Sequence, residues 1–143
     1  MGNLLGVGIL KTRETYTAVV VNGDQSQRVM LSGILQQDGL QVTSCENAED
    51  ALVLMNSQVD EKGPPDVIVT DLYTPGLDGW RFCRLLRSME YPAFNSTPIL
   101  VTSPALSGAD PREVLSSLDA NEFLTAPYDP SGLLSKVRKL LQR

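Results

Sequence analysis

The chain has 143 residues, of which 42% are hydrophobic and 20% are charged, and its formal net charge is -5. This length suits one domain with a sizeable core, and the composition is that of an ordinary globular protein. The negative charge argues against non-specific binding to nucleic acid or to anionic lipid. Because the sequence contains no histidine, it excludes a phosphohistidine donor, a Ser-His-Asp hydrolase and a histidine-ligated metal centre.

The first residues carry no sustained hydrophobic period, so we expect residues 1–16 to be a leader or linker before a folded domain at 17–143. Residues 1–10 are too short and too rich in glycine to span a bilayer, and they lack the basic start of a signal peptide. We therefore expect a cytoplasmic protein. Cys45 and Cys83 form no CxxC pair, so we expect two buried thiols rather than a disulfide or a zinc site.

From residue 17 onward, short apolar runs alternate with helical patterns. The predicted strands are Ala18–Val21, Leu40–Ser44, Val67–Thr70, Ile99–Thr102 and Glu122–Leu124. The predicted helices run from about Ser26 to Asp38, from the Asn47 cap to Met55, from Gly79 to Ser88, from the Asp110-Pro111 start to Leu118, and from the Asp129-Pro130 start to Leu141. This alternation predicts an α/β fold with a parallel sheet. We expect a flavodoxin-like, doubly wound (βα)5 three-layer sandwich with strand order 2-1-3-4-5. The segment from Glu90 to Thr97 is predicted to be an irregular surface loop.

One carboxylate occupies the position at which such a sheet binds ligands. Asp71 ends an apolar run, and the turn-forming segment Leu-Tyr-Thr-Pro-Gly-Leu-Asp-Gly79 follows it. Ligands of open α/β sheets bind outside the carboxyl ends of the strands. Asp71 is therefore the first candidate for a functional residue.

Three segments of the chain resemble those of bacterial response-regulator receiver domains. They are Asp71-x-x-x-Pro75-Gly76-x-Asp78-Gly79, Phe123-Leu-Thr-Ala-Pro127-Tyr128-Asp129 and Ala18-Val-Val-Val-Asn22-Gly23-Asp24. The resemblance covers about residues 17 to 143. It implies a phosphorelay function in which Asp71 accepts a phosphoryl group from a sensor histidine kinase or a phosphotransfer protein. A face formed by helix four, strand five and helix five would then bind a downstream protein.

The resemblance also implies further site residues. A hydroxyl that contacts the phosphoryl group is expected at Ser103, with Thr102 as the alternative one residue earlier, and the aromatic switch position aligns with Phe123. Mg²⁺ is implied as a cofactor. Its expected ligands are Asp71, Asp24, the backbone carbonyl of Tyr73 and, weakly, Asn22.

The sequence departs from the family pattern at two places. The family's adjacent acids after strand one are Asn22 and Gly23 here, and its lysine before the proline of strand five, where the peptide is often cis, is Ala126. Asp24 could replace an acid or could cap helix one. Loss of a charge-assisted hydrogen bond and of organised metal binding would slow phosphorylation by on the order of a thousandfold or more.

Three hypotheses remain open from the sequence. The first is a working receiver domain, and the second is a pseudo-receiver that binds proteins independently of phosphate. The third, a phosphatase of the haloacid-dehalogenase type, needs a second aspartate two residues after the first, where this chain has Tyr73. We expect no enzymatic turnover, no direct contact with nucleic acid and no membrane association. With no effector domain in the sequence, the chain is either a single-domain regulator or part of a larger kinase or regulator.

Overall fold

The computed structural model describes residues 15–103 and 110–142, so most of the expected leader lies outside the described residues. It contains a five-stranded parallel sheet of order β2-β1-β3-β4-β5. The strands are β1 (Thr17–Val21), β2 (Gln41–Cys45), β3 (Val67–Asp71), β4 (Ile99–Ser103) and β5 (Glu122–Thr125). The α-helices are α1 (Gln25–Gln37), α2 (Ala48–Lys62), α3 (Gly79–Leu86), α4 (Pro111–Leu118) and α5 (Pro130–Leu141). The predicted fold class and strand order are confirmed.

Two elements differ from the sequence-based prediction. Helix α2 continues to Lys62 rather than ending near Met55, because its polar second half is made of residues that tolerate a helix until Gly63, at φ 74°, ends it. The segment before β4 contains a short 3-10 helix at Pro92–Phe94. The Phe94 side chain is 1% exposed and packs in the core, so this segment is more than a surface loop.

The sheet is covered on both faces, which explains its apolar central strands. One core cluster joins Val20, Val69 and Leu100 of the sheet to apolar side chains of α1 and α5. The other joins Ile68 and Val101 to α2, α3 and α4. We call these sides the α1/α5 face and the α2–α4 face. Cys45 and Cys83 are free and buried, as predicted.

Acidic and amide side chains begin most of the helices. The side chains of the N-cap residues Asp24, Asn47, Asp78 and Asp110 each accept a hydrogen bond from a backbone N–H of the first turn. Asp129 occupies the same position before α5, but its carboxylate accepts from the Ser131 hydroxyl at 2.8 Å. These caps fix where each helix leaves the carboxyl edge of the sheet. Across 15–103 and 110–142, the structure has no helix both long and apolar enough to cross a membrane.

Candidate functional site

Asp71 is the last residue of the central strand β3 and is only 8% exposed. Its Oδ1 atom is buried and has no hydrogen-bond partner among the described residues. Burial raises the pKa of the Asp71 carboxyl above its ordinary value, while the backbone N–H groups of Tyr73 and Leu72 oppose the rise. Among the described residues, no basic side chain contributes to this shift, so none of them supplies a cation that balances the charge of the carboxylate.

Because Gly79 has no side chain, the start of α3 can lie in close contact with the end of β3. A Cβ atom on Gly79 would lie 2.5 Å from the carbonyl oxygen of Asp71 and 2.6 Å from the Cα of Leu72. The Gly79 N–H donates to the Leu72 carbonyl at 2.8 Å. Any side chain at position 79 would therefore displace the backbone that carries Asp71.

The strand register decides which hydroxyl shares a face with Asp71. Asp71 of β3 pairs with Thr102 of β4. Side chains two residues apart in a strand point to the same face of the sheet. Because Val69 and Leu100 pack on the α1/α5 face, Asp71 and Thr102 point to that face as well. Ser103 follows Val101 of the α2–α4 face at the same spacing. Thr102 Oγ1, like Asp71 Oδ1, is buried without a partner among the described residues. Of the two predicted hydroxyls, the register therefore places Thr102 on the same face of the sheet as Asp71, whereas Ser103 remains the position that the resemblance implies.

The predicted metal ligands after β1 are engaged in other contacts. The Asn22 amide oxygen accepts from the Asp24 N–H at 2.8 Å, and its amide nitrogen donates to Gln27 at 3.1 Å. The Asp24 carboxylate accepts from the Gln27 N–H at 2.9 Å and from the Ser26 hydroxyl at 3.1 Å. These hydrogen bonds, the Gln27 one foremost, lower the pKa of Asp24. Asp24 thus acts as the cap of α1 in this arrangement.

The arrangement around Asp71 does not fit a preformed Mg²⁺ site. Mg²⁺ requires oxygen ligands in near-octahedral geometry, preferably anionic ones. Within 15–103 and 110–142 no group of three or more Asp, Glu, His or Cys side chains is placed to hold a metal. Asp24 and Asn22 would have to leave their present hydrogen bonds to reach a cation, and the exposed Tyr73 could contribute only its backbone carbonyl.

Within residues 15–103 and 110–142, no cation near Asp71 replaces the missing lysine. Ala126 lies at that position, its N–H donates to the Ser103 carbonyl at 3.0 Å, and the Ala126–Pro127 peptide is cis. Arg28 donates to the Asn22 carbonyl at 2.7 Å. Arg81 donates to the Gly76 carbonyl at 3.0 Å. Both guanidinium groups therefore hold loops in place, and neither shifts the pKa of Asp71.

The sequence analysis named Tyr128 only as part of the segment from Phe123 to Asp129 and did not count it among the site residues. Tyr128 is 7% exposed, and its hydroxyl is buried without a partner among the described residues. The predicted aromatic switch residue, Phe123, is 7% exposed and packs on the other face, with α4. The only sequence signal for Tyr128 was that an aromatic residue with a hydroxyl group follows β5 closely, next to the position where the family's lysine is replaced by Ala126.

Comparison with known proteins agrees with this fold. The family model described as "Response regulator receiver domain" matches residues 18–138. The chain therefore belongs to the response-regulator receiver domain family of two-component signalling. Receiver domains are generally not enzymes, interact with histidine kinases or phosphotransfer proteins, and typically bind Mg²⁺ at an acidic site.

Individual relatives support the same assignment. The chain is 33% identical over 129 residues to the alkaline phosphatase synthesis transcriptional regulatory protein SphR of Synechococcus elongatus, covering 87% of this chain and 48% of that protein. It thus spans about half the length of the curated relatives it matches.

Two solved structures share the fold over most of the chain. A putative response regulator from Chloroflexus aurantiacus has a TM-score of 0.78 and 26% identity, with 90% of this chain and 99% of that one covered. A chemotaxis response regulator of Vibrio cholerae has a TM-score of 0.74 and 25% identity, with 89% and 99% covered. Both likenesses extend over nearly the whole described domain.

Proposed function

We propose that Asp71 accepts a phosphoryl group from a phosphohistidine of a sensor histidine kinase or a phosphotransfer protein. The observation that carries this proposal is the buried, unpartnered Asp71 Oδ1 beside the unpartnered Thr102 hydroxyl, at the carboxyl end of the central strand. A carboxylate oxygen attacks phosphorus, the P–N bond breaks, and the partner's imidazole leaves with the electron pair and takes up a proton. The product is an acyl phosphate on Asp71.

The hydrogen-bond donors near Asp71 support a slow reaction. Phosphoryl transfer depends on positioning and on stabilising the charge that spreads over the phosphoryl oxygens. Thr102 offers a neutral donor on the correct face, whereas the methyl group of Ala126 replaces a cation. We therefore propose a receiver that is phosphorylated more slowly than one with the lysine, by about tenfold to a hundredfold for this position alone. Because Asp24 and Asn22 are engaged elsewhere, no step in this proposal passes through Mg²⁺.

The proposal is tested with acetyl phosphate as donor, with and without Mg²⁺, and intact-mass measurement of the protein. We expect a phosphoryl adduct on the wild-type chain that is absent from Asp71→Asn and retained by Asp78→Asn, a matched change at an N-cap residue. An adduct that persists in Asp71→Asn, or no adduct at any donor concentration, would refute the acceptor role. The second result would leave the alternative, an interaction module that does not depend on phosphate.

For the output, we propose the face of α4, β5 and α5. Glu122 of β5 accepts from Lys136 at 3.1 Å and from Lys139 at 3.0 Å, so charged contacts join β5 to α5 there. Arg112 of α4, with a side chain 91% exposed, adds positive charge. These cations support an acidic protein partner, and the net charge of -5 argues against nucleic acid. A cytoplasmic location and the absence of catalytic turnover of its own are part of the same proposal.

A further inference from the structure

Four buried side-chain oxygens of the described residues lack hydrogen-bond partners; apart from Ser32 Oγ of α1, three belong to the sheet and to the segment after β5. These three are Asp71 Oδ1, Thr102 Oγ1 and the Tyr128 hydroxyl. Buried polar atoms are nearly always satisfied, so an unpartnered group calls for an explanation such as a functional role. Asp71 and Thr102 are register neighbours, and Tyr128 belongs to the core cluster on the same α1/α5 face. The three atoms therefore occur together, at the carboxyl edge where the acceptor lies.

Tyr128 is held firmly in this position. Its ring packs among apolar side chains of the sheet and α5. Burial raises the pKa of the Tyr128 phenol, the neighbouring Thr102 side chain lowers it, and the negative charge of Asp71 raises it. Thr102 pairs with Leu124 of β5, and Tyr128 follows that strand and packs on the same face, so the phenol lies near Thr102. Its raised pKa keeps it a protonated donor at neutral pH.

We propose that Tyr128 is a positioning residue that acts through Thr102. When Asp71 carries a phosphoryl group, the Tyr128 hydroxyl turns to donate to Thr102 Oγ1, and the Thr102 hydroxyl in turn donates to a phosphoryl oxygen. This inference rests on the proposed function of Asp71. In this arrangement, the two neutral hydroxyls of Tyr128 and Thr102 provide part of the stabilisation that the missing lysine would give.

The physical reason is the rotational freedom of the threonine hydroxyl. A hydroxyl offers one donor and two acceptor lone pairs, and its hydrogen turns to suit its partners. When the phenol occupies a lone pair of Thr102, the Thr102 hydrogen remains available for the phosphoryl oxygen, and linked hydrogen bonds polarise and strengthen one another. A neutral pair cannot supply the full charge of a lysine, so the relay compensates in part.

The first test compares Tyr128→Phe with wild type in acetyl phosphate labelling at varied donor concentration. Removing only the hydroxyl should lower the maximal labelling rate by about three- to tenfold and leave the half-saturating donor concentration unchanged. Tyr91→Phe is the matched control, because Tyr91 stacks on Phe94 in the segment before β4, away from the site. Thermal unfolding of both variants verifies that packing is retained.

The second test is a double-mutant cycle with Thr102→Val. Thr102→Val alone should slow labelling by about tenfold to a hundredfold, and Tyr128→Phe should then add nothing in that background. Independent, multiplying effects of the two substitutions would overturn the relay, as would a Tyr128→Phe variant that labels at the wild-type rate. With either of these two outcomes, labelling of the wild-type protein would still support Asp71 as the acceptor. If the wild type itself is never labelled, the proposed function fails and the relay fails with it.

Discussion

Asp71 and Thr102 are paired across β3 and β4, and each carries a buried side-chain oxygen without a partner in the described part of the chain. Two such atoms side by side at the carboxyl edge of a parallel sheet are costly in the resting fold. In the proposed function, a phosphoryl group on Asp71 gives the Thr102 hydroxyl an oxygen to which it can donate. In that proposal the pair links the strand register to phosphoryl binding.

Asp71→Asn should make the protein more stable at neutral pH. Burial gives the folded state a raised Asp71 pKa. Between the ordinary and the raised pKa, the native state keeps the Asp71 proton that the unfolded state has lost. The free energy of unfolding therefore falls as the pH rises through this window. The neutral amide removes this loss, and we expect a Tm higher by roughly 2–4 °C at pH 7.

Thermal unfolding at several pH values checks this expectation. The advantage of Asp71→Asn should disappear below the ordinary carboxyl pKa, where both chains are neutral at this position. Asp60→Asn, on the exposed side of α2, is the control for removing one carboxylate from the chain. A variant that is less stable than wild type at pH 7 would contradict the role assigned to burial.

Ala126→Lys should speed phosphorylation of Asp71. Position 126 lies on the α1/α5 face with the acceptor, so an ammonium group there could contact a phosphoryl oxygen with a charge-assisted hydrogen bond. We expect labelling by acetyl phosphate to become about tenfold to a hundredfold faster. The control is Thr125→Lys, which adds the same charge at an exposed site that points to the opposite side of β5. Equal acceleration by both variants would indicate a general effect of charge.

Asp24→Ala should weaken the fold without altering the Mg²⁺ dependence of labelling. Asp24 caps α1 through the Gln27 N–H at 2.9 Å. Because its folded-state pKa is lowered, its contribution is present above the ordinary carboxyl pKa and is lost as pH falls through the lowered value. We expect a Tm lower by a few degrees at neutral pH. Asp60→Ala removes the same charge without a cap, and a change in Mg²⁺ dependence confined to Asp24→Ala would show that Asp24 binds the metal.

Gly79→Ala and Gly33→Ala should have opposite effects on stability. A Cβ atom on Gly79 would collide with the backbone of Asp71 and Leu72, so we expect a loss of about 1–3 kcal/mol in the free energy of unfolding and slower labelling. Gly33 lies within α1 with nothing within 4 Å of an added Cβ. Its replacement should stabilise by about 0.5–1 kcal/mol. Chemical denaturation measures both, and a neutral Gly79→Ala would show that α3 can move away from β3.

The sequence by itself determined the order of the elements and the position of the acceptor. The alternation of apolar runs with capped helical patterns is a local signal, so strands, helix starts and the order of a parallel sheet could be predicted from it. Asp71 at the end of an apolar run is equally local. The end of α2 was misjudged because polar residues such as those from Asn56 to Lys62 permit a helix without an apolar period.

Only the tertiary structure decided which side chains meet at Asp71. The choice between Thr102 and Ser103 depends on a shift of one residue, which moves a side chain to the other face of the sheet. Whether Asp24 caps a helix or turns toward a metal depends on hydrogen bonds that residue type alone does not distinguish. Tyr128 joins the site because β5 lies beside β4, and contacts between residues so far apart in the chain leave no periodic trace in the sequence.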